Sequence, residues 1–153
     1  MIILLILKNY VYTLDFVALF FLDTSDLAFY YQTMTTKRLY AIRGAVCVEN
    51  TADSIISGVK QLYEQILEKN NFKTEDAVSI QFTVTQDLTK LNPAAALRKS
   101  GYGSDIPLFC SQEPQIEGML EKVIRILITV YQEKKPVAVY LNGAEILRPD
   151  LKK

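Results

Sequence analysis

Hydrophobic and polar positions change period several times along the chain. Residues 39 to 48, LYAIRGAVCV, read as a strand, with Gly44 either breaking it or letting another backbone come close. Asn50 or Thr51 then caps a helix in which Ile55, Val59, Leu62 and Ile66 recur at helical spacing, ending at Asn70-Asn71. Residues 77 to 85, AVSIQFTVT, place Val78, Ile80, Phe82 and Val84 on one face of a half-buried strand. Asn92 as cap, Pro93 at the first helical position and Gly101 at the far end delimit a short helix. DIPLFC, residues 105 to 110, reads as a short strand.

A long helix is predicted from about Pro114 to Tyr131, with its apolar residues spread over about 200° of arc. Arg125 falls on the remaining polar strip with Gly118, Glu121, Lys122, Thr129 and Gln132. That strip is either a solvated face or a slot lining a pocket or subunit interface, where Gly118 would allow close approach. VAVYL, 137 to 141, is a strand, and Asn142-Gly143 predicts a hairpin that returns GAEIL against it. The expected order is β-α-β-α-β-α-β-β, a mixed α/β domain whose sheet is mixed because its last hairpin is antiparallel.

Composition narrows the chemistry. With 153 residues, half of them hydrophobic, one domain with a sizeable core is the natural reading. Basic and acidic residues balance at 17 each, which argues against a nucleic-acid partner or a polybasic membrane partner. The absence of histidine removes the commonest general acid/base and metal ligand. Cys47 and Cys110 lack CxxC spacing, so a reducing, cytoplasmic compartment is expected.

Residues 1–33 are apolar and aromatic, but Lys8, Asn9 and Asp15 interrupt what would need about 20 consecutive apolar residues to span a membrane. A basic region before the apolar stretch and a cleavage site after it are not clear. The stretch is read as a mis-called start or a disordered extension, with the domain proper at 34–153. A targeting or anchoring role is the alternative, and only then would a membrane be a partner.

Arginines supply the strongest polar signal. Arg43 and Arg148 lie in or beside apolar elements, and Arg98 and Arg125 sit on predicted helices. Guanidinium groups suit bidentate recognition of carboxylates, so convergence on a small polyanion is one reading and ordinary surface placement the other. Glu113 precedes a helix start, and Cys110 is either strand core or part of a site. The sequence has no GxSxG, no phosphate-cradling glycine loop and no metal-ligand spacing. An enzyme built from this set works by positioning and fixed electrostatics.

From about Lys37 to Leu151 the chain resembles the trimeric, mixed α/β class of chorismate mutases. The resemblance rests on IRGA with Arg43, TxDL around Asp87, NPA..LR with Arg98, and C.QE with Cys110 and Glu113. It continues through IR...TV with Arg125, and VYL followed by LRPDL with Tyr140 and Arg148. It implies a [3,3]-sigmatropic rearrangement of chorismate to prephenate in Phe/Tyr biosynthesis, without metal or cofactor. It also implies a homotrimeric pseudo-α/β-barrel with each active site between two subunits.

By the same resemblance, Arg125 donates to the ether oxygen, while Arg43 and Tyr140 hold the enolpyruvyl carboxylate. Glu113 accepts from the ring hydroxyl, with Cys110 beside it at side chain or backbone. Arg98 takes the ring carboxylate or captures substrate, Arg148 closes the pocket, and Ala94, Leu108 and Phe109 complete the substrate lining. The family often has a bulky aromatic at the position of Asn92 and a lysine at that of Ala95, which bears on ring cover and attraction of the dianion. The competing reading is a small-ligand-binding trimer of similar fold, like the Rid group, without mutase activity.

Overall fold

The computed structural model describes residues 37–151 and two short strands near the N-terminus, β1 (Leu5–Leu7) and β2 (Tyr10–Tyr12), which pair antiparallel. The chain divides into two compact units, Met1–Thr36 and Lys37–Lys153. The other residues of the N-terminal stretch, on which the reading of a mis-called start or extension falls, lie outside the described residues.

The second unit is a five-stranded mixed sheet under two helices. Its strands are β3 (Arg38–Cys47), β4 (Ala77–Val84), β5 (Leu108–Gln112), β6 (Val123–Gln132) and β7 (Val139–Leu141). They lie in the order β5-β4-β6-β3-β7. β6 is antiparallel to both of its neighbours, whereas β5 runs parallel to β4 and β7 parallel to β3. The sheet is mixed, as expected, but because of β6 and not a terminal hairpin.

Helix α1 (Ala52–Asn70) begins where Thr51 Oγ1 accepts from the Ser54 amide at 3.2 Å and ends at Asn71, which takes a left-handed φ of 49°. Helix α2 (Pro93–Lys99) is capped by Asn92, whose Oδ1 accepts from the Ala94 amide at 2.8 Å. Both helices cover one face of the sheet. Ile55, Val59, Leu62 and Ile66 of α1 and Ala96 and Leu97 of α2 bury that face together with Ile42, Val46, Ile80, Phe82, Ile124, Ile126 and Ile128.

Gly44 and Gly58 permit the close approaches in this core. A Cβ on Gly44 would stand 2.9 Å from the Val139 carbonyl oxygen, so β7 comes close here, as one reading of the sequence required. On Gly58 of α1 it would sit 2.3 Å from Val48 Cγ1.

Four expectations are corrected. The predicted helix from Pro114 to Tyr131 is instead a loop of turns followed by strand β6. β6 is central, hydrogen-bonded on both sides and rich in Val, Ile and Thr, residues that favour strands over helices. Gly118 lies in that loop with φ 76°, and no atom stands within 4 Å of where its Cβ would be, so it serves the turn and not a close approach. Asn142 and Gly143 do turn the chain with φ of 57° and 100°. The residues after them, however, form a 3-10 turn, Ala144–Leu147, in place of a returning strand. Buried Ala144 in that turn packs with Ala45 and Val123 and covers one end of the otherwise open sheet face. Finally, Val78 is exposed, because a register irregularity between Ala77 and Ser79 takes it out of the alternation.

Candidate active site

The open face of the sheet carries the polar chemistry. Strand alternation puts Arg43 and Ala45 of β3, Gln81 and Thr83 of β4, and Arg125 and Leu127 of β6 on this face. In register, Arg125 stands between Ala45 and Thr83, and Leu127 between Arg43 and Gln81. Tyr140, opposite Ala45 on β7, belongs to the same face. Leu147 and Arg148 close one side from the 3-10 turn that follows.

These residues enclose a cavity of about 450 Å³, lined among others by Arg43, Thr83, Arg125, Tyr140 and Arg148. Glu113 lies one residue beyond β5, where its amide donates to the Val84 carbonyl at 2.8 Å and continues the ladder. Its Oε2 accepts from Arg125 Nη1, and its Oε1 accepts from the Thr83 hydroxyl. Glu113 is mostly buried at 14% side-chain exposure, against 33% for Arg125. Arg125 therefore lines the cavity, and the Glu113 carboxylate that it binds is largely shielded from bulk solvent.

Arg148 is held by Asp150, which accepts from Nε at 2.8 Å and from Nη2 at 2.6 Å. This hydrogen bonding, with Tyr140 also nearby, raises the guanidinium above its ordinary value. The reciprocal bond from Arg148 lowers the Asp150 carboxyl, with the Arg43 charge assisting. Arg43 has no ion-pair partner among the described residues. Burial raises both cysteine thiols, so Cys47 and Cys110 stay protonated at neutral pH and are poor nucleophiles.

Of the residues singled out in the sequence, Arg43, Arg125, Tyr140 and Arg148 line one cavity, and Glu113 joins them through Arg125. The others lie apart from it within this chain. Cys110 and Leu108 pack against the helix-covered core, Ala94 is buried in α2, Arg98 is exposed on α2, and Phe109 is exposed on the open face beside Gln81. Gln81 and Thr83 were missed, although their alternation with Ile80, Phe82 and Val84 marks them as the polar face of β4.

The TxDL motif turns out to be architectural. The Thr85 hydroxyl accepts from the Val123 amide at 3.0 Å, and Asp87 accepts from the Lys122 amide at 2.8 Å. Together they fix the start of β6, where Lys122 takes a φ of 56°. Among the described residues, no group of His, Cys, Asp or Glu could hold a metal ion, and no helix is long and apolar enough to cross a membrane.

Fold and cavity define a two-layer mixed α/β domain with a cationic pocket suited to a small polyanion. Residues 39–151 match the family described as chorismate mutase type I. The chain is 40% identical over 114 residues to chorismate mutase AroH of Bacillus subtilis, covering 72% of this chain and 90% of that one. It is 38% identical over 115 residues to chorismate mutase AroH of Thermus thermophilus, covering 72% and 93%. A solved chorismate mutase from Clostridium thermocellum superposes with a TM-score of 0.66 at 41% identity, covering 70% of this chain and 98% of that one. The chain belongs to the chorismate mutase type I family, isomerases that convert chorismate to prephenate. This membership sets the mutase reading above a non-catalytic ligand-binding protein of similar fold.

Proposed function

We propose that the cavity on the open sheet face binds chorismate and isomerises it to prephenate in Phe/Tyr biosynthesis. One observation carries the assignment to this site. Three guanidinium groups and a phenol line one cavity, Arg125 and Arg148 each bonded to one carboxylate, Glu113 and Asp150, and Arg43 without an ion-pair partner among the described residues. The rearrangement breaks an ether C–O bond and forms a C–C bond within one molecule, so it needs no proton shuttle or nucleophile. It needs the dianion held in its reactive conformer and positive charge where the breaking bond polarises.

In this reading Arg43 and Tyr140 bind the enolpyruvyl carboxylate, and Arg125 donates to the ether oxygen as negative charge develops there. A guanidinium has five N–H donors, and the bond to Glu113 uses one of them, so donors remain for substrate. Glu113 accepts from the ring hydroxyl, and Arg148 closes the pocket from the C-terminal turn.

Residues 34–153 form the catalytic unit, and three copies assemble with their open faces inward. Leu39, Phe109 and Tyr131, exposed at 55%, 64% and 47% on that face, support a protein cover there. A neighbouring copy would bring its exposed Phe109 and Arg98 to the pocket rim, with Leu108 and Cys110 contributing there through their backbone and Ala94 through the packing of α2. Two free cysteines accord with a reducing cytoplasm.

The test is loss of chorismate absorbance with the purified full chain. Replacing Arg125 by Ala, or by the neutral isostere citrulline, should slow turnover by about 10²–10³-fold while a chorismate analogue still binds. Near-normal turnover of Arg125→Ala would remove that role. Light scattering that returned a monomer mass for a fully active protein would rule out the trimer.

A further inference from the structure

The Glu113–Arg125 pair has a third member that the sequence did not single out. Thr83 lies directly opposite Arg125 in the β4–β6 ladder and opposite Ser111 in the β4–β5 ladder, facing the cavity. Its hydroxyl donates to Glu113 Oε1, while Arg125 Nη1 donates to Glu113 Oε2. The carboxylate is thus tied at each oxygen to a different strand, and the Glu113 amide is anchored to Val84.

The division between the two oxygens has a chemical consequence. An arginine and a carboxylate in contact favour the fork in which two parallel N–H groups bind both oxygens. That arrangement would turn the carboxylate toward the guanidinium and consume two of its donors. With Oε1 held by Thr83, the contact stays at a single donor. Each carboxylate oxygen keeps a lone pair for an incoming hydroxyl, and Arg125 keeps its other N–H groups for substrate.

We infer that Thr83 is a positioning residue that holds the Glu113–Arg125 pair in its singly bonded form, so that the acid and the guanidinium can both engage substrate. The inference rests on the reading of this cavity as the chorismate site.

The experiment compares Thr83→Val and Thr83→Ser, each alone and combined with Glu113→Gln, by steady-state kinetics on chorismate. Valine keeps the shape and strand preference of threonine and lacks the donor. Thr83→Val should lower kcat about tenfold with a smaller change in KM, the scale of a hydrogen bond to a charged group. Thr83→Ser, which retains the hydroxyl, should stay within about threefold of the parent. In the Glu113→Gln background, Thr83→Val should cost less than about twofold more, because the two residues act as one unit.

A Thr83→Val enzyme with parental kcat, or losses that multiply in the double variant, would overturn the inference. Crystals of the parent and of Thr83→Val provide a readout independent of turnover, since the valine variant should show the two-bond fork. An unchanged single bond there would also overturn it. If the parent left chorismate unconverted, the assignment of the cavity would fail, and the crystal comparison would still decide the part played by Thr83.

Discussion

The two faces of the sheet are built from the same strands and do opposite work. On the covered face Ile42, Ile80, Phe82, Ile124 and Ile128 have no solvent exposure and pack beneath α1 and α2. One residue along, Arg43, Gln81, Thr83 and Arg125 point the other way, and the pocket chemistry lies among them. Because side chains alternate at a period of two, neighbours in sequence are separated by the thickness of the sheet. Stability and chemistry are thus divided by parity. A substitution should disturb one and spare the other.

Phe82 gives the largest expected effect. It is among the largest fully buried side chains, and Phe82→Ala should lower the unfolding free energy by about 3–5 kcal/mol through lost burial and a cavity. Chemical denaturation should show this as an earlier midpoint, while kcat per folded molecule stays near the parental value. Arg125→Ala is the converse, with its large loss of turnover accompanied by a smaller loss of stability than Phe82→Ala, about 1–3 kcal/mol, since it leaves the mostly buried Glu113 carboxylate with Thr83 alone. If Phe82→Ala slowed the reaction as strongly as Arg125→Ala with an unmoved midpoint, the division by parity would be broken.

The same alternation explains what the sequence disclosed. β4, α1 and α2 were legible because each is apolar mainly on one side, so period and caps agree, and β3 because its apolar run ends just before a helix cap. β6 was not. A central strand with Ile124, Ile126, Ile128 and Val130 on the covered face and Val123 and Leu127 on the other presents an almost continuous apolar run. Arg125 and Thr129, four residues apart, share a face in a helix and in a strand alike, so the polar strip could not separate the two. The β-branched content of VIRILITV was the signal that could have decided it.

Arg125 was nevertheless singled out, because an arginine within an apolar run stands out whichever element carries it. Sequence could not reveal which residues meet it. Thr83 and Glu113 reach Arg125 through pairings set by strand order, with sequence separations of 42 and 12 residues from it. Cys110 and Leu108 fall on the covered side of β5, and in a five-residue strand with shifted ends that parity was not readable.

The rim of the pocket permits the finest test, because there the two kinds of role overlap. Asp150 is exposed and holds Arg148 by two hydrogen bonds, so it is an internal anion beside a site for a dianion. Asp150→Asn removes that negative charge and loosens the grip on one edge of the guanidinium. Substrate attraction should then improve, with KM falling about twofold at low salt, the size of one solvent-screened charge several ångströms away. The gain should fade at physiological ionic strength. Because Arg148 lowers the Asp150 carboxyl below its ordinary value, it remains ionised at pH 7. The difference between parent and variant should therefore be flat from pH 7 to about pH 5, well above the ordinary aspartate value near 4. Any stability from the pair is present above that unfolded-state value and lost as pH falls through the lowered folded one. A KM that rose in Asp150→Asn would show instead that Asp150 serves mainly to aim Arg148 at the substrate. That result would move this exposed carboxylate from the solvent-facing rim into the pocket's working set.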